Sequence, residues 1–140
     1  MAIRKQKLIK SDMTQEMPSD FGAFYPMGHV VVAFPKAASA RKVRKDLLSG
    51  GYDERDLHHY AAKMAAQSLK NNLENIGALA RMGSTDNVLR KQARLADEGC
   101  DFLLIHAATK EEVDRVMNVV RRVPFRIAQK FHRFAIEDLK

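Results

Sequence analysis

Two stretches are apolar at every step, Val30-Val31-Val32-Ala33-Phe34 after His29, and Phe102-Leu103-Leu104-Ile105 between Asp101 and His106-Ala107. Apolar residues at both parities predict strands buried on both faces, and β-branched residues suit that geometry. Pro35 stops the first strand. Residues 36–49 change to a helical period. Ala40, Val43 and Leu47 form the inner stripe, Arg41, Lys42 and Lys45 point outward, and Gly50-Gly51 ends the helix. A second strand is expected from Leu57 to about Ala62. A longer helix is expected over 63–82, with Ala65, Leu69, Leu73, Ile76 and Ala80 as its stripe. Gly83-Ser84-Thr85-Asp86 breaks it and caps another helix over about 86–98, which Gly99 closes.

The segment 101–107 is the third strand. Thr109 and Glu112 then have the spacing of a capping box, in which each side chain satisfies a backbone N–H of the first turn. The helix that follows buries Val113, Val116, Met117 and Val120, with Arg121 and Arg122 at its negative end. Pro124 breaks the run. A fourth strand is expected from Phe125 to about Phe134, with Phe125 and Ile127 alternating against Arg126 and Lys130. Residues 1–28 hold no steady period and carry two breaker clusters, Met17-Pro18-Ser19-Asp20 and Tyr25-Pro26-Met27-Gly28. They read as a partly disordered arm pinned by Phe21, Phe24 and Tyr25.

The two halves correspond at an offset of about 72 residues, Val30–Phe34 lying over Phe102–His106. A duplicated β-α-β predicts an α+β ferredoxin-like sandwich over 29–140. Its antiparallel sheet would have the order 4-1-3-2, with the helical pair 63–98 inserted between the halves. Strands apolar on both faces need a cover for the second face. The helical pair, the arm or a second copy could supply it, and burial in a homodimer is the favoured expectation because monomers rarely expose large apolar patches.

The run Val30-Val31-Val32-Ala33-Phe34-Pro35, followed by Ala40-Arg41, Leu47-Leu48 and Gly51-Tyr52, resembles the opening of small bacterial stress-associated ferredoxin-like proteins. The stretch Arg126-Ile127-Ala128-Gln129-Lys130-Phe131-His132-Arg133-Phe134-Ala135-Ile136-Glu137 looks like the end of small proteobacterial proteins of the same layout. The resemblance covers roughly residues 26–138 and implies the fold and no activity. The helical pair departs from the glycine-rich central segment of some stress-type relatives, which argues against a membrane-associated role.

Composition adjusts this picture in three ways. A length of 140 residues fits one domain. Cys100 is the single cysteine, so an intrachain disulfide is excluded and a reducing cytoplasm is the expected location. Cys100 itself reads as a buried structural thiol. No apolar run approaches the ~18–20 residues of a membrane span, and the charged N-terminus lacks the apolar core of a signal peptide. The net charge of +7 is concentrated. Arg4, Lys5, Lys7 and Lys10 lie in the arm, and Arg121, Arg122, Arg126, Lys130 and Arg133 lie near the C-terminus with no acid between Arg115 and Ile136.

The chemistry-bearing residues are sparse. Phosphate-loop, dinucleotide, hydrolase-elbow and zincin motifs are all missing. His29, His58, His59, His106 and His132 map to predicted strands and to one edge of the sheet. Convergent neutral imidazoles would suit zinc, copper or nickel, while the plain reading is five structural side chains. No cofactor and no metal is assigned. Asp53, Glu54 and Asp56, like Asp97, Glu98 and Asp101, read as loop and cap residues. Arg121, Arg122, Arg126, Lys130 and Arg133, with Phe125, Phe131 and Phe134 interleaved, could contact nucleic acid. The alternative is an amphipathic strand with its cations in water.

Two functions follow as expectations. The first is a non-enzymatic regulatory or stress-linked module, a homodimer acting through a small ligand or a protein partner. The second is a nucleic-acid-binding domain using the arm and the fourth-strand region.

Overall fold

β1 (His29–Phe34) and β3 (Asp101–His106) lie side by side, antiparallel, with Val31 opposite Leu104 and Val32 opposite Leu103. Every residue of both strands is buried. Such continuous apolar strands belong at the centre of a sheet covered on two faces. The computed structural model describes residues 26–75 and 84–140, leaving aside the side chains of 74–75 and 84–86. The remaining elements are α1 (Ala37–Ser49), a 3-10 turn at Glu54–Asp56, β2 (Leu57–Tyr60), α2 (Ala62–Asn75), α3 (Ser84–Asp97), α4 (Lys110–Val120), β4 (Ile127–Phe131) and β5 (Ile136–Asp138). The architecture is α+β, with four helices and one open antiparallel sheet among the described residues.

The sheet order is β2-β3-β1-β4-β5. It differs from the four-stranded 4-1-3-2 expectation by a fifth strand appended outside β4. The expected fourth strand over 125–134 is in fact interrupted. His132 N–H donates to Ala135 O at 2.8 Å, closing a turn that returns the chain as β5. Phe125 and Phe134 therefore lie outside the strands.

The second strand also ends earlier than expected, at Tyr60. The Asp101 carboxylate accepts the Ala62 N–H at 3.0 Å and so satisfies a donor of the first turn of α2. Gly51, at φ +99°, takes the left-handed conformation just past α1, as the double glycine predicts. The capping box of α4 forms between Thr109 and Glu112.

Residue parity sends each strand into two cores. Val30, Val32 and Phe34 pack with Ala40, Val43 and Leu47 of α1 and with Val116, Met117 and Val120 of α4. Val31 and Ala33 pack with Ala65 and Leu69 of α2 and with Leu89, Ala93 and Ala96 of α3. The inserted helical pair thus covers the second sheet face. This removes the observation that motivated burial of that face in a homodimer. The arm residues 1–25, its pins Phe21, Phe24 and Tyr25, and the expected helix end at 76–82 lie outside the described residues.

Candidate functional site

The pleat decides where the histidines go. On β1, Val31 and Ala33 face α2 and α3, so His29 does too. On β3 the same parity carries Phe102, Leu104 and His106, and on β2 it carries His58 and Tyr60. His29 stands directly opposite His106, and His58 stands opposite Leu104, one diagonal step from His106. Three of the five histidines therefore gather at one end of one face.

The other two do not join them. His59 points to the opposite face, where its Nε2 meets Asp101 Oδ2 at 2.8 Å. His132 lies beyond β4, with Nε2 at 2.9 Å from Glu137 Oε1. The shared edge does not bring all five together, since only His29, His58 and His106 occupy one face. Parity separates His58 from His59, and the β4–β5 turn takes His132 away.

His29 and His106 are both buried, with ring centroids 4.9 Å apart and ring planes at 81°. His29 Nδ1 lies 3.1 Å from Met27 O. A carbonyl only accepts, so Nδ1 carries the proton and Nε2 keeps a lone pair. His29 Nε2 and His58 Nε2 have no hydrogen-bond partner among the described residues. Burial lowers the His29 pKa to about 4, with the His106 and His58 rings acting the same way against the Met27 bond and Asp56. Burial also lowers the His58 pKa, against the pull of Asp56. Asp56, read from sequence as a loop acid, is almost fully buried in the turn before β2. Neutral imidazoles are the ligating form. Among the described residues, however, no group of three or more His, Cys, Asp or Glu is placed to hold a metal ion.

Beside β2 on the sheet's outer edge lies an open groove of about 680 Å³. Arg41, Arg44, Lys45, Leu48 and Ser49 of α1 form one wall, and Leu57–Tyr60 form the other. Arg44 reaches Glu54 Oε1 at 3.2 Å. Arg41 and Lys45 are exposed and have no acidic partner among the described residues. They are four residues apart, one helical turn, so both cations share a face. That stripe is legible in the sequence as the outward side of the helix. Its place against an edge strand is not, because it depends on how α1 crosses the sheet.

The C-terminal cations do not form one surface. Lys130 is buried, and its Nζ donates to Ala107 O. Its expected position in solvent is therefore corrected. It shares the parity of Val30, its partner across the sheet, and faces the α1 and α4 side. Arg121 donates to Lys140 O at 2.7 Å. Arg122 pairs with Asp46 at 3.3 Å, and Arg126 with Glu98 at 3.0 Å. Arg133 lies over the exposed ring of Phe134, 5.2 Å from its centroid. Cys100 is buried, and burial raises its thiol pKa, which disfavours the nucleophilic thiolate.

No helix of the described residues is long and apolar enough to cross a membrane. Comparison with protein-family models, with curated proteins and with solved structures found no match.

Proposed function

We propose that the chain is a non-enzymatic, ferredoxin-like binding module that takes an anionic ligand in the groove between α1 and β2. One observation carries this reading. Arg41, Arg44 and Lys45 project from one helix into an open groove beside an outer strand, and Arg41 and Lys45 have no acid among the described residues to neutralise them. Cations with low-dielectric walls behind them concentrate counter-charge in such a cleft. The groove groups are suited to holding charge rather than moving protons, since His59 is already tied to Asp101. A regulatory role fits a module of this kind.

The test is an NMR titration of the full chain with small anions, inorganic tripolyphosphate and short glutamate-containing peptides, at low salt. Amide shifts grouped at 41–45 and 57–60 are expected, and they should fall away in Arg41→Glu/Lys45→Glu. If no anion in the panel moves those amides, the reading is wrong.

Among the described residues, the nucleic-acid alternative is supported by the Arg133–Phe134 pair exposed at the β4–β5 turn. An exposed aromatic with a cation on its face is a stacking platform for an unpaired base. Fluorescence anisotropy with single-stranded RNA over a salt series tests it. Phe134→Ala should lower affinity several-fold, and unchanged affinity would exclude this surface.

A further inference from the structure

Resting on the anion-binding reading of the α1–β2 groove, we infer that His59 accepts a phosphoryl group there, on its Nδ1, from a small acyl phosphate.

The tautomer of His59 is set by its partner. Nε2 lies 2.8 Å from Asp101 Oδ2, and a carboxylate only accepts, so Nε2 carries the proton. Asp101 is buried, and its Oδ1 accepts the Ala62 N–H at 3.0 Å, so the carboxylate is held from two sides. The lone pair is therefore on Nδ1, which has no hydrogen-bond partner among the described residues.

This ring is also reachable. The His59 side chain is 23% exposed and lines the groove, whereas His29 and His106 are buried. A histidine oriented by a carboxylate, with its second nitrogen unengaged beside a cleft, is arranged as a base or a nucleophile.

The cations select the substrate. Arg41 and Lys45 line the same groove and have no acid to neutralise them among the described residues. They would draw in a phosphate and offset the negative charge that repels an incoming lone pair. His132 offers a comparison within the same chain. It has a carboxylate on Nε2, from Glu137 at 2.9 Å, but it stands outside the groove and its cations.

In the transfer, the Nδ1 lone pair attacks phosphorus and an N–P bond forms. The bond from phosphorus to the bridging oxygen breaks, and its electron pair leaves with the carboxylate. That leaving group is a stable anion and needs no proton. The Nε2 proton stays on the ring, where Asp101 stabilises the added positive charge. An acyl phosphate suits a groove that supplies charge and one lone pair.

The test is incubation of the full chain with acetyl phosphate, followed by peptide mapping at alkaline pH. One phosphoryl group is expected, on His59, stable in alkali and lost in acid. NMR of the labelled ring should place it on Nδ1. Arg41→Glu/Lys45→Glu, at exposed helix positions, should slow the labelling by about tenfold or more. Equal labelling of His59 and His132, or a rate untouched by the two groove substitutions, would overturn the inference as unselective chemistry. Phosphate on Nε2 would also overturn it. Anion-induced shifts at 41–45 without any labelling would remove phosphoryl transfer and leave anion binding standing. Neither shifts nor labelling would remove both readings.

Discussion

His29 and His106 face one another across the two central strands, ring edge to ring face, with centroids 4.9 Å apart. Two buried rings at this distance are compatible only while at least one stays neutral, because adjacent positive charges away from water repel strongly. Burial of the His29 ring, reinforced by its neighbour His106, holds His29 uncharged.

The pH dependence follows from the direction of that shift. The His29 pKa is about 4 in the fold, against 6.5 for an unperturbed histidine side chain. Below pH 6.5 the unfolded chain takes up a proton that the folded chain refuses, so stability falls as pH drops from about 6.5 to 4. This group costs nothing above that window, and its effect levels off below it. The full difference is about 3 kcal/mol. NMR titration should show the His29 ring neutral at pH 5. A His29 midpoint near 6.5 in the folded protein would contradict the buried pair.

Lys130 is expected to matter for stability and not for polyanion binding. Its Nζ donates to the Ala107 carbonyl inside the protein. Lys130→Met leaves that acceptor without its donor at a cost of about 1–3 kcal/mol. Urea denaturation measures this directly. A variant as stable as the parent, with weakened RNA affinity, would return Lys130 to the surface role the sequence suggests.

Asp101 joins three elements. From the first position of β3, it binds His59 of β2 through one oxygen and the first amide of α2 through the other. Asp101→Ala should cost about 2–4 kcal/mol, combining a lost helix cap with a lost charge-assisted bond. Hydrogen exchange should quicken first at Ala62–Ala65. Unchanged protection there would show that the cap is dispensable.

Thr109→Ala tests the one motif read directly from spacing. Thr109 Oγ1 accepts the Glu112 N–H at 3.1 Å, and Glu112 Oε1 accepts the Thr109 N–H at 3.1 Å. Its loss should lower stability by about 1 kcal/mol. A thermal midpoint within error of the parent would mean the box contributes nothing net.

Much of this was legible in the chain. Thr109 and Glu112 are three residues apart, so the capping box needs only local geometry. Gly50-Gly51 and the stripe Ala40, Val43, Leu47 are equally local. The β4–β5 turn was not legible, because Phe131-His132-Arg133-Phe134-Ala135 carries no glycine or proline and the turn rests on the bond from His132 to Ala135. Lys130 misled for a related reason. Its charge suggests solvent, but its parity with Val30 and the reach to Ala107 O place it inside.

By itself, the sequence determined the elements built from near neighbours, and the need for cover on both faces of β1 and β3. Helical and strand periods act over a few residues, so they can be read from one chain. Only the tertiary structure decided that the inserted helices provide that cover. The same is true of the gathering of His29, His58 and His106, and of Arg41 and Lys45 standing beside β2, the last strand of the described sheet. Those outcomes depend on strand register and helix crossing, which bring together residues as far apart in the chain as His29 and His106.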